Sequence, residues 1–406
     1  MTLPLDRRVR RFAEQRWLLD QVIQANGIEW DQPRIAYTLG PCGPEAMPDF
    51  NLVRQRVRKF TDISREYAAA AARREALAQQ YEQEGRYVAA RESYFIAALL
   101  WGAAQWPIFE NNAANLHYNE RKVACYQKWI AYAPRRIERV EIPFGDRSLP
   151  AYLHFPPGWN GEPLPCVLSI DGMDGSKEIM HAMYGDKILE RGMASLAIDG
   201  PGQGECCTRG IYVTQENFKE AGRAALAWLR ARPEIDAERI AVFGVSFGSF
   251  WATQVATVDD RLKGCAVVFV CHEPGAYTLF NMASPTFKLR FMYMAGYEDE
   301  AAFDRFAEGL RLDGREVRCP WLCLAGEDDE LSPIEHTYAL FETIPQPKQL
   351  IVYQGERHAL GGPAATLGPN WLNTVADWLR DRLDGKPLRS ERVYVDVTGR
   401  QTVTPI

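Results

Sequence analysis

The sequence of 406 residues predicts an α/β protein: a mostly parallel β-sheet with helices on both faces, preceded by an all-helical segment. Three observations carry that prediction. From about residue 50 to 134 the texture is helical, with no strand signal. From residue 164 onward, short continuous apolar runs alternate with helix-like stretches, the pattern of strands covered on both sides. Finally, the turn "GVSFG" (244–248) joins one such run directly to a helix-like stretch.

The helical segment comes first. "NLVRQRVRKFTDISREYAAAAARREALAQQYEQ" is rich in Ala, Arg, Glu and Gln, all good helix formers, and reads as one helix. "RYVAARESYFIAALLWGAAQW" follows, with Tyr87, Tyr94, Ala98 and Trp101 near one face, and "AANLHYNERKVACYQKWIAYA" ends before Pro134. The texture changes at residue 137. "IERVEIPF" and "LPAYLHF" alternate apolar and polar residues around "GDRS", which predicts a hairpin. The buried strands are expected at "LPCVLSI", "MASLAI", "RIAVFG", "KGCAVVFV", "WLCLAG" and "QLIVYQ". An insert at about 272–318, carrying "MASPTFKLRFMYMAGY", has the Met and aromatic density of a lid over an apolar pocket or of a plain core helix. The tail "RVYVDVTG" alternates like an edge strand. The expected division is therefore 1–135 helical, 136–390 catalytic, and 391–406 a tail.

Composition narrows the function classes. A net charge of −6 argues against a nucleic-acid or anionic-membrane surface. Nine scattered cysteines without C-x-x-C pairs read as reduced thiols of a cytoplasmic protein. The start, "MTLPLDRRVRRFAEQRW", lacks the apolar stretch of a secretory signal, and no apolar run is long enough to span a bilayer. No H-E-x-x-H or clustered His/Cys set calls for a metal, and "DGPGQGE" (199–205) lacks the Lys-Ser/Thr pair of a phosphate loop. No cofactor is expected.

Chemistry is concentrated around Ser246. A serine between two glycines, after a strand and before a helix, is lifted on a sharp turn that exposes its hydroxyl. A serine hydroxyl is a weak nucleophile, so it needs a base and a group that orients the base. His358, in "QLIVYQGERHALGG", is the histidine that follows a late strand among glycines. His336 reads as a surface or packing residue, His117, His154 and His181 precede the turn, and His272 is a pocket candidate. Of the contiguous Glu327, Asp328, Asp329 and Glu330, at most one can hold the imidazole. The G-E-x-D-x-x-x-P spacing favours Asp329, with Asp328 next. Oxyanion donors are expected from the backbone N–H of Phe247 and, in the loop "DGMDGSKE", from that of Met173, with Asp174 the next candidate. Gly172 permits close backbone approach there. Glu273 follows the strand after the turn, where it would bind a polar substrate group or shuttle a proton, or else cap a helix or pair with an arginine.

These residues resemble the α/β-hydrolase superfamily. More narrowly, "ERVEIPFGDRSLPAYLHFP", "DGMDGSKE", "LAIDGPGQGE" and "FGVSFGSFWA" resemble the 2,6-dihydroxypseudooxynicotine hydrolase-like family and the fungal heptaketide hydrolases of pigment synthesis. "YFIAALLWGAAQWP" is similar to that family's N-terminal helical cap, so the likeness runs from about residue 50 to 380. The resemblance implies the α/β-hydrolase fold with a helical cap and a homodimer. It also implies a serine hydrolase with Ser246, Asp329 and His358 as its triad. Its implied substrate is an acylated aromatic or polyketide-like small molecule, cut at a carbon–carbon bond next to a ketone. Ester or thioester hydrolysis, or acyl transfer and cyclisation, uses the same parts. A non-catalytic ligand-binding protein is the reading from another class, against which the intact Ser–Asp–His order argues.

Overall fold

Ten strands form a single sheet in the computed structural model, which describes residues 5–180, 186–345 and 347–406. The strands are β1 (Ile137–Phe144), β2 (Arg147–His154), β3 (Leu164–Ile170), β4 (Ala194–Ile198), β5 (Ile235–Val245), β6 (Cys265–Val268), β7 (Trp321–Gly326), β8 (Lys348–Tyr353), β9 (Glu391–Val395) and β10 (Gln401–Pro405). Their spatial order is β1-β2-β4-β3-β5-β6-β7-β8-β9-β10. From β4 through β9 the pairings are parallel, while β1–β2, β2–β4 and β9–β10 are antiparallel. The β1–β2 hairpin turns on Gly145 and Asp146, and Gly145 takes φ +60°, which a side chain resists.

The unbroken apolar runs of the central strands reflect burial on both faces. Leu168 and Val242 face one side with Trp251 and Val255. Val167 and Phe243 face the other with Trp378 and Leu379. Because β3, β5, β6, β7 and β8 run parallel, the loops that leave their C-terminal ends share one edge of the sheet. Residues 171–176, Ser246, His272, Asp329 and His358 all lie on that edge.

Ahead of the sheet lie helices Arg10–Asn26, Arg34–Cys42, Met47–Arg56, Phe60–Gln83, Tyr87–Gln105 and Ala113–Ala131. The single helix expected from residue 51 to 83 is two. Val57 is extended, and the N–H groups of Arg58 and Lys59 donate to Asp62 Oδ2 at 3.1 Å each, which starts a new helix. The expected one-faced Tyr87–Gln105 helix is instead buried almost all round between its two neighbours, with Ala90, Ala97, Ala98 and Ala104 allowing close approach. Its first turns are the exception: Tyr87, Val88 and Glu92 are exposed, and Tyr87 stacks on Tyr132. The insert forms helices Pro285–Ala295 and Glu300–Ala307, and the first of these is nearly wholly buried. The tail is not one edge strand but a hairpin. β9 pairs with β8, and β10 becomes the edge. Among the described residues no helix is long and apolar enough to cross a membrane. His181 lies outside the described residues.

Candidate active site

β5 ends at Val245 and a helix begins at Phe247, so Ser246 is the whole turn. It sits at φ +55°, a region that disfavours any residue with a side chain and costs about 1–3 kcal/mol. Its N–H donates to Val268 O at 3.0 Å and its C=O accepts from Ser249 N–H at 2.8 Å, which hold the strained backbone in place. Both flanking glycines are required by contact. A Cβ on Gly244 would lie 2.2 Å from Gly248 O, and one on Gly248 would lie 2.4 Å from Ile170 O. The elbow therefore packs directly against the end of β3.

The hydroxyl of Ser246 is 3.0 Å from His358 Nε2, and His358 Nδ1 is 2.8 Å from Asp329 Oδ2. The other Asp329 oxygen accepts from Leu331 N–H at 2.8 Å and Ser332 N–H at 3.1 Å, which fixes the carboxylate. Of the four contiguous acids, Asp329 alone is buried. Asp328 and Glu330 are exposed, and Glu327 accepts from Tyr394 Oη and Gly355 N–H. Glu330 still contributes, taking the His358 backbone N–H at 3.0 Å. Burial by itself pushes the His358 imidazole pKa down. The charge and hydrogen bond of Asp329, then the charges of Glu330 and Asp174, outweigh that and leave it above its usual value of 6.5.

Gly172 presses against Ser246: a Cβ there would be 2.8 Å from Ser246 Cβ and 3.2 Å from its hydroxyl. The Gly172 N–H is taken by Asp171 Oδ1 at 2.7 Å and is not available as an oxyanion donor. Sequence reasoning missed the group that sets this peptide. Gln203 Nε2 donates to Asp171 O at 2.7 Å and to Gly172 O at 3.1 Å, and the latter carbonyl belongs to the peptide that carries the Met173 N–H. "DGPGQGE" is thus more than a tight turn. Asp199 and Glu205 from that stretch meet Lys177 Nζ at 2.8 and 2.6 Å, Glu178 meets it at 2.8 Å, and Arg139 closes on Glu205. This buried network ties the loops after β3 and β4 together. Asp171 lies beside it, and burial, with Asp199 and Asp174 nearby, pushes its carboxyl pKa up to about 7.

A cavity of about 160 Å³ opens over Ser246 and His358. A void of roughly 150 Å³ accommodates a benzene-sized group. Its walls come from the helical segment (Tyr67, Leu99, Trp106), from the insert (Phe287, Arg290) and from the loop after β3. Asp174 and Gly172 line it. The Asp174 carboxylate is committed to the roof, accepting from Trp106 Nε1 at 2.8 Å and pairing with Arg34 at 3.3 Å, while Arg34 lies 3.6 Å over the Trp106 ring. Arg34 is itself clamped by Asp31.

Two pocket candidates are corrected. Glu273 does not line the cavity. Its oxygens accept from Thr278 N–H at 2.7 Å and Thr278 Oγ1 at 3.1 Å, the capping alternative, with His336 3.8 Å away. His272 is turned behind the loop, its Nδ1 3.1 Å from Thr337 Oγ1 and its ring against Trp321. Burial pushes its pKa down to about 3. Both sit at the ligand edge of the sheet in sequence, but their side chains point into the helix at Ile334–Thr343 and the Thr278 turn.

The profile of the family described as "Esterase FrsA-like" matches residues 65–352, more than half of the chain. The chain belongs to the FrsA-like esterase family. Its fold is the α/β-hydrolase fold. Among relatives of this FrsA-like chain, 2,6-dihydropseudooxynicotine hydrolase of Paenarthrobacter nicotinovorans is 29% identical over 325 residues, 76% of this chain and 83% of that one. Alpha/beta hydrolase xenA of Xenoacremonium sinensis is 28% identical over 247 residues, 59% of this chain and 57% of that protein, so the match spans little more than half of the fungal relative. The crystal structure of 2,6-dihydroxy-pseudo-oxynicotine hydrolase aligns with a TM-score of 0.70 over 93% of this chain and 98% of that one, at 23% identity, a likeness of fold.

Proposed function

We propose that Ser246, His358 and Asp329 act as nucleophile, base and orienting acid. In this reading the enzyme cleaves the carbon–carbon bond beside a ketone in an acylated aromatic or polyketide-like small molecule. The observation that carries it is the unbroken Ser246–His358–Asp329 hydrogen-bond chain opening onto an aromatic-walled cavity. His358 takes the Ser246 proton as the hydroxyl oxygen adds to the ketone carbon. The oxyanion rests on the N–H groups of Phe247 and Met173. Collapse breaks the carbon–carbon bond and leaves the acyl group on Ser246. The expelled carbanion, stabilised as an enolate or within a hydroxylated ring, takes the proton from His358. Water, deprotonated by His358, then releases the acid and restores Ser246.

The resemblance to the 2,6-dihydroxypseudooxynicotine hydrolase-like family favours carbon–carbon cleavage. The FrsA-like esterase match favours the second reading, hydrolysis of an ester of similar shape by the same steps. Incubation with benzoylacetone and with phenyl acetate, followed by mass-spectrometric product analysis, separates them. The first reading expects benzoylacetone to yield one acid and one shortened ketone in equal amounts, lost in Ser246→Ala. Turnover of phenyl acetate alone would favour the ester reading. Turnover retained in Ser246→Ala would overturn both.

A further inference from the structure

Among the described residues most buried cations are satisfied by a carboxylate or by backbone carbonyls. Lys122, Lys177 and Lys288 each reach a carboxylate. Lys348 and Arg382 instead donate to two backbone carbonyls each. Arg290, in the insert helix, has neither arrangement. It is 7% exposed, and its one hydrogen bond among the described residues runs from Nε to Met173 O at 3.1 Å. Its two terminal nitrogens have no protein partner there, and they are not sealed off, because Arg290 forms part of the cavity wall. Of the carboxylates on the same wall, Asp174 is engaged by Arg34 and Trp106 and Glu178 by Lys177. Asp171 holds the Gly172 N–H with Oδ1 and has its Oδ2 buried without a hydrogen-bond partner among the described residues. The neighbouring Tyr293 hydroxyl is bound to Asn111 and Asn115.

A guanidinium that is buried and open to a cavity, with no carboxylate partner among the described residues and the Tyr293 ring 5.7 Å away, is costly unless an anion completes it. We propose that Arg290 binds an ionised oxygen on the substrate, the enolate of a 1,3-dicarbonyl or a phenolate conjugated to the scissile acyl group. The inference rests on the carbon–carbon reading above and sharpens it to substrates that enter as delocalised oxyanions. Through Met173 the guanidinium sits one residue from the oxyanion peptide. The bound oxyanion returns to its keto form by taking a proton from water at the carbon of the scissile bond before Ser246 adds, so the expelled group carries one negative charge. A planar fork of donors suits a chelating oxygen pair better than a lysine does.

Titration calorimetry on Ser246→Ala, alone and combined with Arg290→Met or Arg290→Lys, tests this without turnover. The ligands are benzoylacetone and 2-hydroxyacetophenone at an alkaline pH where both are ionised, with benzoate and neutral acetophenone as comparisons. Thermal unfolding of each variant verifies the fold. The expected result is that Arg290→Met weakens benzoylacetone and 2-hydroxyacetophenone by about tenfold or more. Arg290→Lys should fall between, with acetophenone unmoved. Equal weakening of acetophenone would make Arg290 a support for the Met173 loop only, and a response confined to benzoate would assign a carboxylate ligand; either overturns the proposal. Binding is read apart from cleavage, so failure of the carbon–carbon reading shows only in the product analysis.

Discussion

His272 and His358 follow strands β6 and β8 of the same sheet and are buried to nearly the same degree, 5% and 3% exposed. Their chemistry is opposite. His272 meets a threonine hydroxyl, and burial holds its pKa near 3, so it stays neutral. His358 feels the same desolvation, but Asp329 on its Nδ1, with Glu330 and Asp174 close by, more than reverses it. Burial alone makes an inert imidazole. A fixed carboxylate on one nitrogen makes the other a base that can deprotonate a serine.

The largest effect expected from breaking this contrast comes from paired substitutions. His358→Ala should lower kcat on the acyl substrate by on the order of 10⁴–10⁶-fold. His272→Ala should leave kcat/KM little changed while lowering unfolding stability by about 2–4 kcal/mol, as a cavity in a packed wall does. Steady-state kinetics and thermal unfolding of both variants measure this. A similar kcat loss in both would erase the distinction. Next in size is the choice of acid. Asp329→Asn should cost on the order of 10⁴-fold in kcat, whereas the exposed Asp328→Asn should not, and kinetics of the two variants decide it.

The pH profile sharpens the comparison further. His358 must be neutral to act as base, and its pKa is raised, so kcat/KM should fall as pH drops through an apparent pKa above 6.5. An acid limb below 6.5 would mean that Asp329 does not control His358. The smallest effect is on stability. His272 is unprotonated in the fold down to about pH 3 but takes a proton in the unfolded chain below about 6.5. Its contribution is therefore present above pH 6.5 and declines as pH falls toward 3, by about 1.4 kcal/mol per unit. Denaturant unfolding of wild type and His272→Gln between those limits should show a shallower acid loss in the variant.

The signals legible in the sequence were local ones. "LPCVLSI" is β3 residue for residue, and the "WLCLAG" and "QLIVYQ" runs fall on β7 and β8, because strands buried on both faces need unbroken apolar residues. Ser246, Asp329 and His358 were legible because each follows a strand whose direction puts it on one edge. What escaped depends on contacts between distant segments. Gln203 reaches Asp171 and Gly172 across about thirty residues, Trp106 reaches Asp174 across 68, and Arg290 reaches Met173 across 117. Nothing in the local texture of those residues marks them. Glu273 and His272 were misread for a related reason: strand order fixes which edge a residue occupies, but not which way its side chain turns.

The central claim is that Ser246 is a nucleophile activated by His358. Intact-protein mass spectrometry after treatment with a fluorophosphonate tests it most directly, on wild type, His358→Ala and His272→Ala. The account predicts one adduct on Ser246 in wild type and in His272→Ala, and none in His358→Ala. Equal labelling of the two histidine variants, or no adduct in wild type, would contradict it.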